Sequence, residues 1–86
     1  MDEIQKLRKK VDELDDQILK ALCDRVKVCK AIGDAKRKQG MQIRDSSREN
    51  EVYRRIKEES VQFQLDPVQI ERVYREIVNM CSAVQE

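Results

Sequence analysis

Apolar residues recur every three or four positions from Ile4 to Ala35, and this one run decides most of what the chain can become. Ile4, Leu7, Val11, Leu14, Ile18, Ala21, Val28, Ile32 and Ala35 share one side of a helix, with a single gap at Arg25. No Pro interrupts them, Gly33 is the first weak position, and Gly40 is the natural stop. About 35 residues at about 1.5 Å each make a rod of about 52 Å. A compact chain of 86 residues has a radius of gyration near ~12 Å, hence a diameter of about 30 Å. The rod therefore carries its apolar stripe beyond any globule the rest of the chain can build. That overhang calls for a partner, and a second copy is the simplest one.

Two further helices follow. Asp45 or Ser46 is the expected N-cap of the second, and Ser46-x-x-Glu49 fits a capping box. Val52, Ile56 and Phe63 supply its apolar side. The third opens with Asp66-Pro67, a cap followed by Pro at the first helical position, and runs through Ile70, Val73, Tyr74, Ile77, Val78, Cys81 and Val84. The expected fold is all-α: a long, a short and a medium helix in one domain over residues 1–86. Two such chains would pair as a homodimer with their long first helices antiparallel. With no linker or repeat, the chain reads as free-standing.

Composition narrows the function. Lys and Arg number 18 and Asp and Glu 17, so the net charge of +1 gives no bulk attraction to nucleic acid. Aromatics are 3% with no Trp, which leaves few platforms for stacking on bases. No apolar run approaches the ~20 residues of a membrane span. The absence of His removes imidazole acid–base chemistry and most zinc sites, so no metal is expected. Cys23, Cys29 and Cys81 are an odd set without a secretory leader, which suggests reduced thiols and a cytoplasmic location.

The informative residues are charges that stand where the pattern wants carbon. Arg25 fills the gap between Ala21 and Val28, and a buried Arg must meet an anion. A helix carboxylate or a device at a dimer seam would serve equally well. Lys36 lies beside Cys29, Ile32 and Gly33; it is either inward or a snorkelling surface Lys. Arg8 flanks Leu7 and Val11 and reads as surface when taken alone. Asp45, Arg48, Glu49, Val52 and Ile56 share one face of the second helix, so polar residues prolong a buried stripe. Capping alone would account for Asp45 and Glu49. Gln85 follows Cys81 by four at the end of an inward face, where a frayed terminus is the plain alternative. Cys81 by type is core filler.

Together, four cations on or beside buried faces suit a small ligand with two negative charges. Arg offers a fork for carboxylates and Lys a point donor. Arg25 and Lys36 are about 16 Å apart along the axis and could grip opposite ends of one small molecule. Arg8 is about 25 Å from Arg25 and cannot join them from the same helix. An antiparallel mate crossing near Asp16 to Leu22 would bring its Arg8 between them.

The order of these residues resembles a chorismate mutase of the all-helical class. The matching segments are Leu7-Arg8-Lys9-Lys10-Val11-Asp12-Glu13-Leu14-Asp15, then Arg25, then Ile32-Gly33-Asp34-Ala35-Lys36, then Ile43-Arg44-Asp45-Ser46-Ser47-Arg48-Glu49. The resemblance implies an intertwined dimer and two composite sites. Arg25, with Arg8 from the other protomer, would bind the two carboxylates of chorismate. Lys36 would bond the ether oxygen and touch a carboxylate, and Gln85 would be the second donor to that oxygen. Glu49 would accept the substrate hydroxyl, helped by the backbone at Asp45, and Arg48 would support a carboxylate. Cys81 stands where relatives often carry a Ser that contacts a carboxylate.

The implied reaction, chorismate to prephenate, is unimolecular and needs no proton transfer, nucleophile, metal or cofactor. That agrees with a chain lacking His. Two rivals remain at this point. An isochorismate-pyruvate lyase would share the fold and a similar pocket. A non-enzymatic helical dimerisation module would use the charges only for solvation or pairing. A partner enzyme bound in trans leaves no mark in a sequence of this kind.

Overall fold

The computed structural model describes residues 2–86. The described residues form three helices: α1 (Glu3–Gln39), α2 (Ser46–Gln62) and α3 (Pro67–Gln85). Each begins at an Asp whose carboxylate accepts a backbone N–H that the helix itself cannot satisfy. Asp2 takes Ile4 at 2.9 Å, Asp45 takes Arg48 at 3.1 Å and Asp66 takes Val68 at 2.9 Å. The capping box expected from Ser46 and Glu49 does not form. Asp45 is the cap, so the third helical position is Arg48, and Glu49 lies one residue too far along to reach back. α1 ends at Gly40, whose φ of 69° is the left-handed conformation that lets the chain turn away. The Met41 N–H then bonds the Lys36 carbonyl at 2.8 Å and closes the helix end.

α3 is the element that packs on both of the others. Against α2 it builds a small core of Val52, Ile56 and Val78, flanked by Tyr53, Ile70 and Tyr74. An ion pair between Lys57 and Glu71, 2.5 Å apart, bridges the same two helices. The hydrogen bond from Lys57 is the main reason the Glu71 carboxyl lies below the usual carboxylate range; Arg75 adds to it and partial desolvation opposes it. Phe63, expected on the apolar side of α2, is 73% exposed. It is the residue at which α2 ends, so helical spacing no longer aims its side chain.

Against α1, α3 makes a covalent contact. Cys29 and Cys81 form a disulfide, with their Cα atoms 5.2 Å apart and 52 residues between them in sequence. The expectation of three reduced thiols is therefore corrected: only Cys23, which is exposed, is free. The physical reason is a crossing that sequence alone does not display. The inward stripes of α1 and α3 meet at the one level where each carries a Cys, within ordinary disulfide reach. The inference from reduced thiols to a cytoplasm loses its footing with them.

The first half of α1 is left uncovered by the rest of the chain. Every residue from Asp2 to Ala21 is exposed, and Ile4, Leu7, Val11, Leu14 and Ile18 are each 49–57% accessible. The molecule is accordingly elongated, 58 × 24 × 15 Å with a radius of gyration of 16.3 Å. No described helix is long and apolar enough to cross a membrane.

Candidate active site

A cleft of ≈ 270 Å³ opens where the second half of α1, the start of α2 and the end of α3 converge. That is the small end of ligand-pocket sizes. α1 contributes Arg25, Val28, Cys29, Ile32 and Lys36, and Ile43 closes the end from the connecting loop. α2 contributes Asp45, Arg48, Glu49, Val52 and Arg55. Val78, Cys81, Ser82 and Gln85 form the α3 wall. The floor is apolar, and the charges stand around it.

Arg25 and Lys36 dominate its chemistry. Both are half-buried, and neither has a carboxylate partner among the described residues. The intrachain ion pair that would have made Arg25 purely structural is therefore not formed. Its guanidinium finds only the Ile77 carbonyl at 3.5 Å and the Cys29 sulfur at 3.8 Å, both long contacts. Lys36 donates to the Ile43 carbonyl at 2.6 Å and to the Gln85 Oε1 at 3.1 Å. The snorkelling reading of Lys36 fails with those bonds, since the ammonium points into the chain.

Gln85 is not frayed. It is 5% exposed, and its Nε2 donates to the Cys81 sulfur at 3.1 Å. Glu49, whose side chain is 24% exposed, lies 3.4 Å from Arg44 at the cleft's other wall. Arg48 lines the mouth, 62% exposed and 3.9 Å from Glu51. The cleft thus presents Arg25, Lys36, Arg48 and Arg55 against Asp45 and Glu49, an excess of cations that favours an anion.

Of the eight residues singled out in the sequence, seven line this cleft: Arg25, Lys36, Asp45, Arg48, Glu49, Cys81 and Gln85. Arg8 does not. It lies on the bare half of α1, 17 positions and about 25 Å of helix from Arg25. Cys81 is present but as half of a disulfide, so it has no S–H to donate. Two polar lining residues were missed. Arg55 follows Arg48 by seven, a helical spacing that could have found it. Ser82 is buried beside Cys81, and no pattern marked it.

Comparison with known proteins gives this geometry a family. A profile described as chorismate mutase type II matches residues 7–86, and the chain belongs to that family. It is similar to a bifunctional chorismate mutase/prephenate dehydratase of Aquifex aeolicus, 32% identical over 89 residues, spanning 100% of this chain and 25% of that protein. It is similar too to a chorismate mutase of Methanocaldococcus jannaschii, 35% identical over 57 residues, spanning 66% of this chain and 58% of the relative. Among solved structures, a conserved hypothetical protein from Pyrococcus furiosus superposes with a TM-score of 0.78 at 30% identity, covering 96% of this chain and 95% of that one. The chain thus spans a quarter of one curated relative and little more than half of the other.

Proposed function

We propose that residues 1–86 form one chorismate mutase domain that converts chorismate to prephenate, a step towards the aromatic amino acids. The carrying observation is the pair of half-buried cations, Arg25 and Lys36, that face one cleft without carboxylate partners. A dianionic substrate supplies what they lack.

The reaction breaks one C–O bond as one C–C bond forms within a single molecule. The protein has two tasks. It holds the enolpyruvyl side chain over the ring, which removes the conformational search. It also places fixed donors at the ether oxygen, where negative charge grows in the transition state. Lys36 and Gln85 take the second task. Gln85 turns its amide N–H from the Cys81 sulfur to the ether oxygen, and Lys36 turns from Oε1 to the same atom. Arg25 holds one carboxylate with Arg48 beside it, and Glu49 and the Asp45 backbone hold the ring hydroxyl. Cys81, lacking a hydrogen, contributes packing to the carboxylate end.

We propose further that the active form is a homodimer, with Arg8 of the partner subunit completing each cleft. This is supported by the uncovered stripe on α1 and by the position of Arg8 on that same half. A cytoplasmic location follows from the biosynthetic reaction, not from the thiols. The disulfide argues the other way, and the free-thiol content of protein taken from its native cells decides between them.

The test is direct. Loss of chorismate absorbance with appearance of prephenate supports the proposal. Salicylate and pyruvate from isochorismate would make the chain a lyase, and no turnover of either would leave a helical dimerisation module.

A further inference from the structure

The last residue of a helix ordinarily frays, because its final carbonyls have no partner within the helix. Gln85 is the last residue of α3 and yet is 5% exposed. Something holds it, and the structure names the holders. Arg37, one residue past Lys36 on α1, donates from Nη1 to the Gln85 main-chain carbonyl. Its other arm, Nη2, bonds the Asp34 carboxylate one turn back, which fixes the fork. A cation at that point also meets the negative end of the α3 dipole. Gly33 does the rest. A Cβ there would lie 2.8 Å from the Gln85 Cα, 2.8 Å from its Cγ and 2.9 Å from its Cβ. Only a residue with no side chain lets the end of α3 come this close to α1.

We infer that Arg37 and Gly33 are positioning residues for the proposed reaction: they seat the last turn of α3 so that the Gln85 amide is held at the cleft beside Lys36. The inference rests on the reading of the cleft as a chorismate site. Neither residue lines the cleft. They act through Gln85, one from its carbonyl side and one from beneath its side chain. Lys36 and Arg37 are thus adjacent in sequence but divide the work: the first binds the Gln85 side chain and the second its backbone.

The experiment is a double-mutant cycle on the full chain, read by steady-state kinetics on chorismate and by amide hydrogen exchange at Val84 and Gln85. Arg37→Ala should lower kcat about tenfold through loss of a charge-assisted bond, with KM changed by less than about twofold. Arg37→Lys, which keeps a cationic donor, should recover most of that loss. In a Gln85→Ala background, Arg37→Ala should change kcat by less than about twofold, because the group it positions is gone. Exchange at Val84 and Gln85 should quicken in Arg37→Ala and in Gly33→Ala alike. A full tenfold loss persisting in the Gln85→Ala background would overturn the inference, as would a rise in KM with kcat intact. Should the parent fail to turn over chorismate, the functional reading falls and exchange alone decides the seat. Unchanged exchange in Arg37→Ala then overturns it.

Discussion

The two halves of α1 invert the usual arrangement of a helix in a small protein. From Asp2 to Ala21 the helix carries a regular apolar stripe, and all of it is exposed. From Leu22 onward it carries Arg25, Lys36 and a disulfide, and this is the half that α3 covers. Apolar surface left in water is a missing contact, since burial of each such side chain is favourable by about 1.5–3 kcal/mol. Half-buried cations without partners are a missing ligand. One helix therefore lacks two different things at its two ends. On the proposed reading an antiparallel mate supplies the first and a dianionic substrate the second, with the mate's Arg8 helping to hold that substrate.

On the proposed mechanism the covered half is catalytic and the bare half contributory, and the expected losses rank accordingly. If Lys36 is the fixed charge at the reacting oxygen, Lys36→Ala should lower kcat by about 10²–10³-fold. Its urea midpoint should fall only modestly, by the loss of the bonds to the Ile43 carbonyl and the Gln85 Oε1, far less than the activity falls. A loss confined to KM would move Lys36 from the reaction to mere binding.

Gln85→Glu sharpens the same half. The amide donates at every pH, whereas a carboxyl donates only when protonated. The variant should approach parental turnover in acid and lose about tenfold or more as pH rises through the new carboxyl's pKa. A profile as flat as the parent's would remove Gln85 from the reacting oxygen.

Cutting the disulfide should make the covered half behave more like the bare one. Replacing Cys29 and Cys81 together by Ser removes a cross-link spanning 52 residues. The expected cost is about 2–4 kcal/mol in urea unfolding, at a protein concentration held constant. Parent protein treated with a phosphine reductant should unfold at the same midpoint as the double variant. If reductant changes nothing, the two thiols were never joined in solution.

The smallest effect lies away from the cleft. Glu71 is held below its unfolded pKa chiefly by the Lys57 hydrogen bond. A depressed carboxyl contributes stability above the unfolded value and loses it as pH falls through the folded one. Parent and Glu71→Gln should therefore differ slightly near about pH 7 and converge in acid. A gap that widens in acid would mean the pair does not hold α2 to α3.

How much of this was legible in the sequence depends on range. The three helices and the cap at Asp66 were readable, and Asp45 was one of two candidates, because spacing and capping act within a turn or two. So was the overhang, which is arithmetic on helix rise. Seven of eight proposed site residues converge because periodicity already put each on an inward face. Most of the misses are matters of contact between helices. The Cys29–Cys81 pair depends on the level at which α1 and α3 cross. Arg37 carries no mark in the sequence, and only the arrival of Gln85 against Gly33 gives it a task. Ser46 and Glu49 fitted a capping box that a better cap one residue earlier displaced.

The central claim is that the bare half of one chain completes the cleft of another, and subunit exchange between two dead variants tests it most directly. Arg8→Ala and Lys36→Ala are each nearly inactive on this account. Mixed in equal amounts and exchanged, half the dimers are hybrids. In each hybrid one cleft receives both defects and the other receives neither. The account predicts recovery to about a quarter of the parent's activity. No recovery, in a mixture where mass spectrometry shows hybrids formed, would contradict it.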